Sequence, residues 1–448
     1  MVKLGSFPRG IHPADHKGLA AEVPISVLPL PKLLRVPVQQ HIGAPSAVIC
    51  KPRTTVAWGD VIAEPASFVS AAAHAPVAGT TAKEVAVTLA NARHMQAVPV
   101  KPAKEQPDDS ELWQALYGGD WSLLEAELPE PDQVCEAIRQ AGIVGMGGAA
   151  FPTHVKLTRN AKKPVDTVLV NGCECEPFLT ADYRLMLEAP AAVVAGARLA
   201  ARACGAERIV FASETTKPRA LDVLRQASAG QPRCQVMALA AKYPMGGEKQ
   251  TVRAAVGRTI PTGGLPLDVG VVVINVGTCA AIAAAVMRQR PMTHRIVTVS
   301  GAGIVEPKNI LAPVGAAVTD LIAFCGGLRP DAGRVVSGGP MMGFALGDLD
   351  VPITKGTSGL TVLSQADLHV AEQTTCIRCG RCVQVCPLNL VPNRLGLASR
   401  HGDWDLARRY QMTACMECGC CAYGCPAGIP LVQLIRSGKA RLPRKAAP

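Results

Sequence analysis

The pattern of hydrophobic and polar positions changes along the chain, and it begins as a β pattern. Short apolar runs between turn residues fill residues 1 to about 95, among them Leu33–Val38, Ala47–Cys50 and Val85–Leu89. Such runs are typical of a small β domain. A linker rich in proline and charged residues is predicted to follow from Val98 to Ser110.

The middle of the chain alternates predicted helices with short apolar strands. We place helices at Pro131–Ala141 and Ala191–Cys204, and strands at Thr167–Val170 and Arg208–Ala212. Helices and strands in alternation indicate a parallel α/β unit.

The most apolar stretch, Val269 to Met287, contains Asn275 and Gly277 at its centre. It is therefore predicted to form a buried strand (Val269–Val276), a turn and a small-residue helix (Ala280–Val286), and not a membrane-spanning helix. If the protein acts at a membrane, we expect it to do so as a peripheral subunit.

The pattern of the chain from about residue 296 onward predicts a second β-rich unit, followed by a helical unit that is rich in cysteine. Short strands run from Ile296–Val299 to about residue 350, and a connector at Lys355–Gly359 follows. A helical stretch is expected from about Arg394 to Gln411. A chain of 448 residues suggests three or four domains. Because aromatic residues are few and small ones many, α/β units are favoured over a sandwich.

The formal charge of +11 is concentrated near the C-terminus. From Cys376 to Pro448, eleven Lys and Arg residues face three acidic residues, a net charge of +8. Part of this excess would offset the negative charge of the many cysteines in the same segment if their thiolates bind metal. The rest is suited to an acidic partner or anionic lipid. Nucleic acid is a weaker interpretation, because basic and aromatic residues do not interleave.

Two cysteine runs share the spacing C-x2-C-x2-C-x3-C-P, which is typical of bacterial [4Fe–4S] proteins. In two-cluster ferredoxins the fourth cysteine of each run ligates the other cluster. The predicted ligands of the first cluster are Cys376, Cys379, Cys382 and Cys425, and those of the second are Cys415, Cys418, Cys421 and Cys386. Cys420, beside Cys421, is predicted to be a non-ligand.

Zinc and disulfide bonds are the alternatives for these cysteines. A zinc site uses four thiolates, often from paired C-x2-C units. It does not require a C-x2-C-x2-C-x3-C-P run that occurs twice, so zinc is disfavoured. Residues 1–10 contain no apolar segment of a signal peptide, so we expect a cytosolic context, which disfavours disulfides. The other nine cysteines, such as Cys50, Cys135, Cys204 and Cys325, are interpreted as small buried hydrophobic residues.

A glycine-rich segment ends at Lys156 and has Gly145, Gly147 and Gly148 at its centre. Glycines let backbone N–H groups approach a phosphate closely, and Lys156 adds positive charge. The segment precedes a predicted strand, so it is not a Rossmann fingerprint. Glycine content alone supports a phosphate site and an ordinary tight turn about equally.

Two further turns carry charged residues. The turn containing Asn171, Glu174 and Glu176 follows a predicted strand, where α/β proteins bind ligands. Its carboxylates are candidates for holding ribose hydroxyls or ring nitrogens, with a solvated acidic turn as the alternative. The glycine turn from Tyr243 to Lys249, which carries charges of both signs, is a second candidate, with an ordinary surface loop as the alternative.

Together these motifs resemble the C subunit of the Rnf complex, a membrane-bound NADH–ferredoxin oxidoreductase that also translocates ions. The resemblance covers nearly the whole chain, with Arg9 where glycine is expected. Besides the cysteine runs it rests on Gly10-Ile-His12-Pro13, Leu28-Pro-Leu-Pro31, Gln40-His41-Ile-Gly43-Ala-Pro45, Gly145-Met-Gly-Gly-Ala-Ala-Phe-Pro-Thr153 and Asn171-Gly-Cys-Glu-Cys-Glu-Pro177.

The α/β part also resembles the flavin- and NADH-binding subunit of respiratory complex I. This resemblance implies FMN under the glycine-rich loop and NADH beside it. The implied contacts are Lys156 on the phosphate, Asn171 and Glu174 near the isoalloxazine, Asn275 and Thr278 as further FMN contacts, and Tyr243 and Glu248 near the nicotinamide. Two positions depart from that subunit: Cys173 replaces an aspartate, and Gly247 replaces the first of two paired glutamates.

The resemblance implies a multidomain α/β protein. Its expected units are an N-terminal barrel-sandwich domain (1–97), a linker (98–130), an FMN/NADH-binding α/β domain (131–291), a soluble-ligand-binding β-grasp domain (292–354) and a helical ferredoxin-type domain with two [4Fe–4S] clusters (355–448). The turn Ala73-His74-Ala75-Pro76 has no lysine to modify, so no swinging-arm role is expected.

The implied function is that of an electron-input subunit, peripheral on the cytoplasmic side of a bacterial inner membrane. Electrons pass between NADH, FMN and the two clusters, and ion transport is coupled in other subunits. Expected partners are integral membrane subunits, ferredoxin-like subunits, NADH and ferredoxin, and not nucleic acid. No catalytic acid or base is assigned, and Glu174 and Glu248 are expected to position cofactors.

Three alternatives stand beside this function. The cobalamin reductase of bacterial microcompartments shares the loop and clusters but lacks a domain like residues 1–95. The A subunit of the sodium-pumping quinone reductase lacks the cluster cysteines. A non-enzymatic, cluster-bearing docking protein would need no NADH site, and Cys173 and Gly247 keep this interpretation open.

Overall fold

The computed structural model describes residues 4–122, 128–231, 233–368 and 372–443. Arg444 and Lys445, which contribute to the predicted basic charge, lie outside the described residues, as do short parts of the predicted linker and of the first and last predicted domains. No helix in the described ranges combines the length and the apolar character that a bilayer crossing requires.

Strands dominate the first hundred residues and residues 290–365, and helices are more numerous elsewhere. The strands are β1 Ile25–Val27, β2 Leu34–Pro37, β3 Ala47–Val48, β4 Thr55–Val56, β5 Val61–Glu64, β6 Ala73–His74, β7 Gly79–Thr81, β8 Val85–Thr88, β9 His94–Pro102, β10 Thr167–Asn171, β11 Arg208–Glu214, β12 Cys234–Leu239, β13 Val271–Asn275, β14 His294–Ser300, β15 Lys308–Pro313, β16 Ala332–Ser337, β17 Phe344–Ala345 and β18 Gly359–Ser364. The helices are α1 Asp109–Leu116, α2 Pro131–Gln140, α3 Thr153–Leu157, α4 Ala181–Glu188, α5 Pro190–Cys204, α6 Pro218–Ala227, α7 Glu248–Val256, α8 Val276–Arg288, α9 Val318–Phe324, α10 Arg381–Gln384, α11 Pro392–His401, α12 Trp404–Arg409, α13 Cys420–Tyr423 and α14 Leu431–Arg441.

The β domain at the beginning is built from two small antiparallel sheets. One has the order β2-β9-β7-β4, with β8 added on β9, and the other has the order β3-β5-β6. Its apolar side chains share one core with those of the later β unit, so that Val36 and Val98 belong to the same cluster as Ile310. The two β units therefore pack on each other although the α/β unit separates them in sequence.

The α/β unit has a four-stranded parallel sheet in the order β12-β11-β10-β13. Val168 and Val170 of β10 pack on the face that holds α5 and α8, and Leu169 packs on the opposite face with Val252 of α7. Burial on both faces explains why these strands are continuous apolar runs and not alternating ones.

Helices α5 and α8 lie against each other at unusually short range. A Cβ atom on Gly196 would lie 1.7 Å from the carbonyl oxygen of Cys279, so any side chain at Gly196 would force the helices apart. The small residues of both helices thus serve close packing.

The second β unit is a six-stranded mixed sheet in the order β1-β15-β14-β18-β16-β17. Two of its strands come from segments that were predicted to lie in other units. Ile25–Val27 pairs in parallel with β15, although residues 1–97 were expected to form one domain. Gly359–Ser364 lies between β14 and β16, so the sheet extends past the predicted boundary at residues 354 and 355.

Three other predicted boundaries are wrong. The linker was expected to begin at Val98, but β9 continues through Pro102 because it pairs with β2, β7 and β8. The turn expected after β13 is absent, because Asn275 caps α8 directly. The helical stretch at 394–411 is two helices, which separate at Gly402 with a φ of 67°.

Candidate functional site: a flavin crevice joined to a two-cluster domain

Two asparagines mark the point where the strand order of the parallel sheet reverses. Asn171 ends β10 and Asn275 ends β13, and the two are direct partners in the strand register. Ligands of open α/β sheets bind in the crevice outside such a reversal point. Asn275 accepts hydrogen bonds from the backbone N–H of Gly277 (2.8 Å) and Thr278 (3.4 Å), and Asn171 donates to the carbonyl of Gly246 (2.9 Å).

The glycine-rich loop lies over the Asn275 side of this crevice. The N–H of Met146 donates to the hydroxyl oxygen of Thr278 (2.9 Å). A Cβ atom on Gly147 would meet only Asn275 at 3.7 Å, and one on Gly148, which has a φ of 101°, would meet nothing within 4 Å. Both glycines therefore border open space.

The loop has the donors that a phosphate group needs. Within the described residues, the backbone N–H groups of residues 147–150 donate no hydrogen bond. Residues 147–149 are exposed, and free backbone N–H groups beside glycines form anion-binding concavities. The residues present therefore fit the phosphate of FMN.

Lys156 lies beside this loop on α3 and already has an acidic partner. Its Nζ is 2.5 Å from Oε1 of Glu248, the first residue of α7, and 3.5 Å from the carbonyl oxygen of Val273. The side chains are 29 % and 43 % exposed, so both can reach a ligand in the crevice. The structure thus brings two of the predicted contacts together as an ion pair.

Glu174 has a φ of 41° and lies against the N-terminus of α4. Its two carboxylate oxygens accept hydrogen bonds from the N–H groups of Asp182 (2.7 Å) and Tyr183 (3.2 Å). An acidic group is favourable there because it satisfies free donors and complements the helix dipole. Its carboxylate is therefore already used in the fold, and its predicted flavin contact stays a prediction.

Two charged residues that the sequence analysis missed lie beneath the crevice. Asp182 accepts a hydrogen bond from the side-chain amide of Asn275 at 2.6 Å, and burial together with the neighbouring Glu174 raises the pKa of Asp182. Arg295 is buried and donates to the carbonyl oxygen of Met146 at 2.8 Å, which fixes the glycine-rich loop. An arginine directly before the predicted strand Ile296–Val299 was the signal available for Arg295.

The turn from Tyr243 to Glu248 connects the crevice to the second cysteine run. The hydroxyl of Tyr243 donates to the carbonyl oxygen of Cys418 at 2.7 Å and lies 3.3 Å from a carboxylate oxygen of Glu176. The other carboxylate oxygen of Glu176 accepts from the N–H of Met341, and burial raises the pKa of Glu176 to about 7. Tyr243 and Glu176, both predicted cofactor contacts, therefore bridge to the cluster domain.

The cysteines of the acidic turn point away from open solvent. Cys173 is fully buried, and its carbonyl oxygen accepts a hydrogen bond from Lys217 at 2.6 Å, which also pairs with Glu214. Cys175 accepts a hydrogen bond from the N–H of Gly246 at 3.2 Å, and burial raises the pKa of its thiol to about 12. Both behave as neutral parts of the crevice wall.

The two cysteine runs have the same local backbone. Arg378 and Glu417, each before the second cysteine, have φ values of 57° and 61°. Gly380 and Gly419, each after it, have φ values of 76° and 84° and cap the short helices α10 and α13. The shared spacing therefore produces two loops of the same shape.

The second run forms an enclosed site. One cavity is lined by the four predicted ligands of the second cluster together with Cys420. Backbone N–H groups of Glu417 and Leu390 lie 3.4 Å from the sulfurs of Cys415 and Cys386. The structure thus brings Cys386 of the first run to the cysteines of the second. Donors to the sulfurs fit a thiolate-bound cluster.

The first run forms an open site. Cys376 and Cys379 are exposed. The pKa of Cys382 is raised mainly by burial and further by the thiols of Cys425 and Cys376, which places these three together. No group of three or more His, Cys, Asp or Glu side chains in the described ranges converges as a single metal ion would require. A [4Fe–4S] cube spreads its ligands around a larger volume.

None of the cysteines forms a disulfide bond, and all of them lie in the described residues. Cys204 and Cys325 are buried, as predicted, and Cys50 and Cys135 are half-buried. Cys420 is completely buried, and its thiol hydrogen-bonds to that of Cys418. That Cys420 is not a cluster ligand stays a prediction.

Family models match four consecutive parts of the chain. They describe an RnfC barrel sandwich hybrid domain (5–105), a Nuo51 FMN-binding domain (138–284), an SLBB domain (296–345) and a 4Fe-4S dicluster domain (372–429). The predicted fold class and cofactor types are thereby confirmed.

Several curated relatives resemble the chain over most of its length. The C subunit of the proton-translocating ferredoxin:NAD(+) oxidoreductase complex of Clostridium ljungdahlii is 42% identical over 88% of this chain and 84% of its own. The C subunit of the ion-translocating oxidoreductase complex of Rhodobacter capsulatus is 41% identical, covering 98% and 83%. The C subunit of the Na(+)-translocating ferredoxin:NAD(+) oxidoreductase complex of Acetobacterium woodii is 39% identical, covering 90% and 89%.

Among solved structures, an NAD+-reducing [NiFe]-hydrogenase in the H2-reduced state is similar over 70% of this chain and 63% of its own. The TM-score is 0.48 at 22% identity.

Proposed function

Because the chain belongs to the family of C subunits of ion-translocating oxidoreductase complexes, we propose that it is the electron-input subunit of an Rnf-type complex. In this role it takes electrons from NADH through FMN and passes them to two [4Fe–4S] clusters. When bound, FMN supplies two-electron hydride chemistry and the clusters supply one-electron steps.

One observation carries this proposal: the flavin crevice and the enclosed cysteine site share a wall. Gly246 accepts a hydrogen bond from Asn171 in the crevice, and Tyr243, three residues earlier, donates one to the carbonyl oxygen of Cys418. Ile11, Tyr243 and Cys418 pack in the same apolar cluster. Electrons can thus leave the crevice without crossing solvent.

The residues of the crevice have separable tasks in this proposal. The free N–H groups at Gly147 and Gly148 and the ammonium of Lys156 hold the flavin phosphate. Asn171, Asn275 and Thr278 line the crevice, and hydride transfer requires only that they position the reactants. Glu174 supports this wall by holding α4, and Glu248 orients Lys156 through their ion pair.

Tyr243 and Glu176 have a revised task. Since the hydroxyl of Tyr243 is occupied by Cys418 and Glu176, we assign these two residues to positioning the second cluster against the flavin crevice. The predicted nicotinamide contact of Tyr243 is not needed for this role.

The open cysteine site is the proposed outlet. Ile377 is 66 % exposed between Cys376 and Cys379, and Arg378 and Arg381 make no ion pair or side-chain hydrogen bond with the described residues. An exposed, basic surface next to a cluster suits an acidic redox partner. We propose that ferredoxin or a ferredoxin-like subunit docks there, with the protein on the cytoplasmic face of the inner membrane and integral subunits beside it.

An anaerobic titration of the cluster-loaded protein with NADH tests this function. Flavin absorbance and the EPR signals of reduced clusters would be followed together. We expect flavin bleaching and then cluster signals. If dithionite reduces the clusters while NADH changes nothing with FMN added, the protein is a cluster relay that binds no NADH, and the proposal fails.

A further inference from the structure

We infer that the protein has a second anion site, a phosphate-binding cleft between α7 and the loop that follows Cys386. The cleft has a volume of about 150 Å³. Phe7 of the N-terminal segment, the α7 face with its following loop, and Pro387 to Leu390 form its walls. It lies outside the flavin crevice, and none of the residues assigned there lines it.

The polar side chains that line the cleft include hydrogen-bond donors, two of which are positively charged and two of which are neutral hydroxyl groups. Lys249 and Arg253 lie one turn apart on α7, so their side chains share a face. Lys249 donates to the carbonyl oxygen of Pro261 at 3.0 Å, and Arg253 has no side-chain partner in the described part of the chain. Thr259 and Thr262 add hydroxyl groups, and no carboxylate lines the cleft among the described residues. This set matches an oxyanion.

A buried amide between these two cations lacks a partner. Gln250 is only 3 % exposed, lines the cleft, and makes no side-chain hydrogen bond within the described ranges. Its Oε1 is buried without a partner. An unsatisfied buried polar group costs about 1–3 kcal/mol. The amide nitrogen of this side chain can donate to a phosphate oxygen, whereas Oε1 needs a donor such as the P–OH group of monohydrogen phosphate.

Size limits what the cleft can take. Pockets for drug-sized ligands occupy about 300–1,000 Å³, so this cleft holds a phosphate or diphosphate group and not a whole dinucleotide. The group can come from free phosphate or from a nucleotide that lies mostly outside the cleft. The second source rests on the proposed function, because Lys249 directly follows Glu248 at the flavin crevice.

Binding of inorganic phosphate and diphosphate to the full-length, cofactor-loaded protein tests the site by isothermal titration. We expect saturable binding, and we expect Arg253→Gln to weaken it about tenfold, which corresponds to one lost charge-assisted hydrogen bond. Lys249→Gln is a second variant on the same helix face. Arg93→Gln is the matched control, because Arg93 is exposed and its side chain makes no hydrogen bond or ion pair with the described residues. Its affinity should equal that of the unchanged protein.

Adding NADH distinguishes the two possible sources of the phosphate group, which are free phosphate and the dinucleotide. If the group belongs to the dinucleotide, phosphate competes with NADH, and Arg253→Gln raises KM without changing kcat. If the group is free phosphate, it binds equally with NADH present and KM is unchanged. Either result supports the site. Absence of saturable binding, or equal binding by Arg253→Gln, overturns it. Because the titration needs no NADH oxidation, failure of the proposed function leaves this test valid.

Discussion

The two cysteine loops have one spacing and one backbone shape but opposite surroundings. The first loop exposes Cys376 and Cys379 to solvent, whereas Cys418 and Cys421 of the second are only 8 % and 7 % exposed. In the second loop Glu417 is paired with Arg436 and Lys439, while Arg378 at the equivalent position of the first loop is unpaired within the described residues. Loop shape follows from local sequence, and the role of each loop follows from what packs on it.

Removing one cluster ligand from each loop should produce the largest difference between the two loops. We expect Cys415→Ala to abolish one EPR signal and to stop NADH from reducing the remaining cluster, because in the proposed route electrons pass from the crevice to the enclosed cluster and then to the open one. Cys376→Ala should abolish the other signal only, and Cys420→Ala should keep both. If NADH still reduces the open cluster in Cys415→Ala, the proposed order of the clusters is wrong.

Tyr243→Phe should affect the enclosed cluster alone. The variant loses the hydroxyl that donates to the carbonyl oxygen of Cys418, a change worth about 1 kcal/mol of stability. We expect a shifted midpoint potential for the enclosed cluster in an EPR redox titration, and an unchanged one for the open cluster. Tyr423→Phe is the matched control. Tyr423 lies in the second cysteine loop itself, is 60 % exposed, and its hydroxyl makes no hydrogen bond with the described residues. Equal shifts in both clusters would contradict the assigned positioning role.

Charge on the open loop should control partner reduction. We expect the double variant Arg378→Gln, Arg381→Gln to slow the NADH-driven reduction of ferredoxin several-fold at low ionic strength, since exposed charges steer association. The difference should vanish at high salt because screening removes that steering. Arg409→Gln, which changes an exposed arginine on α12 that has no ion pair in the described ranges, should behave like the unchanged protein. A salt-independent rate would remove the docking proposal.

The pH dependence of stability should be sensitive to Glu176 beside the enclosed loop. Burial raises the pKa of Glu176 to about 7 in the folded protein, from 4.5. Between these pH values the folded state binds the extra proton, so this group makes stability fall as pH rises through that window. We expect Glu176→Gln to flatten the fall in apparent Tm from pH 5 to 7, whereas Glu372→Gln, near the open loop, should not. An unchanged slope in Glu176→Gln would show that other groups dominate.

Much of the architecture was predictable because local patterns carry it. The strands at Thr167 and Arg208 and the helix at Ala191 follow from apolar runs and small-residue periodicity, and their observed bounds differ by only a few residues. The edges failed where distant pairing decides them. Gly359 looked like a connector, yet β18 completes a sheet with strands that lie far away in sequence.

The crevice was predictable in its chemistry but not in its connections. The glycines and Lys156 left a phosphate site and an ordinary tight turn open, and the resemblance to a flavin-binding subunit favoured the phosphate site. The Asn275–Asp182 hydrogen bond and the support of Met146 by Arg295 could not be foreseen, because they join residues that only the register of β10 and β13 and the packing of β14 bring together.

The sequence by itself determined the fold class, the two cluster loops and the cofactor types, because cysteine spacing, glycines and apolar periodicity act over a few residues. Only the tertiary structure decided which loop is enclosed, that Tyr243 joins it to the crevice, and that a cationic cleft forms beside Cys386. Burial and contact between distant segments create these features, and neither is a property of any short stretch of chain.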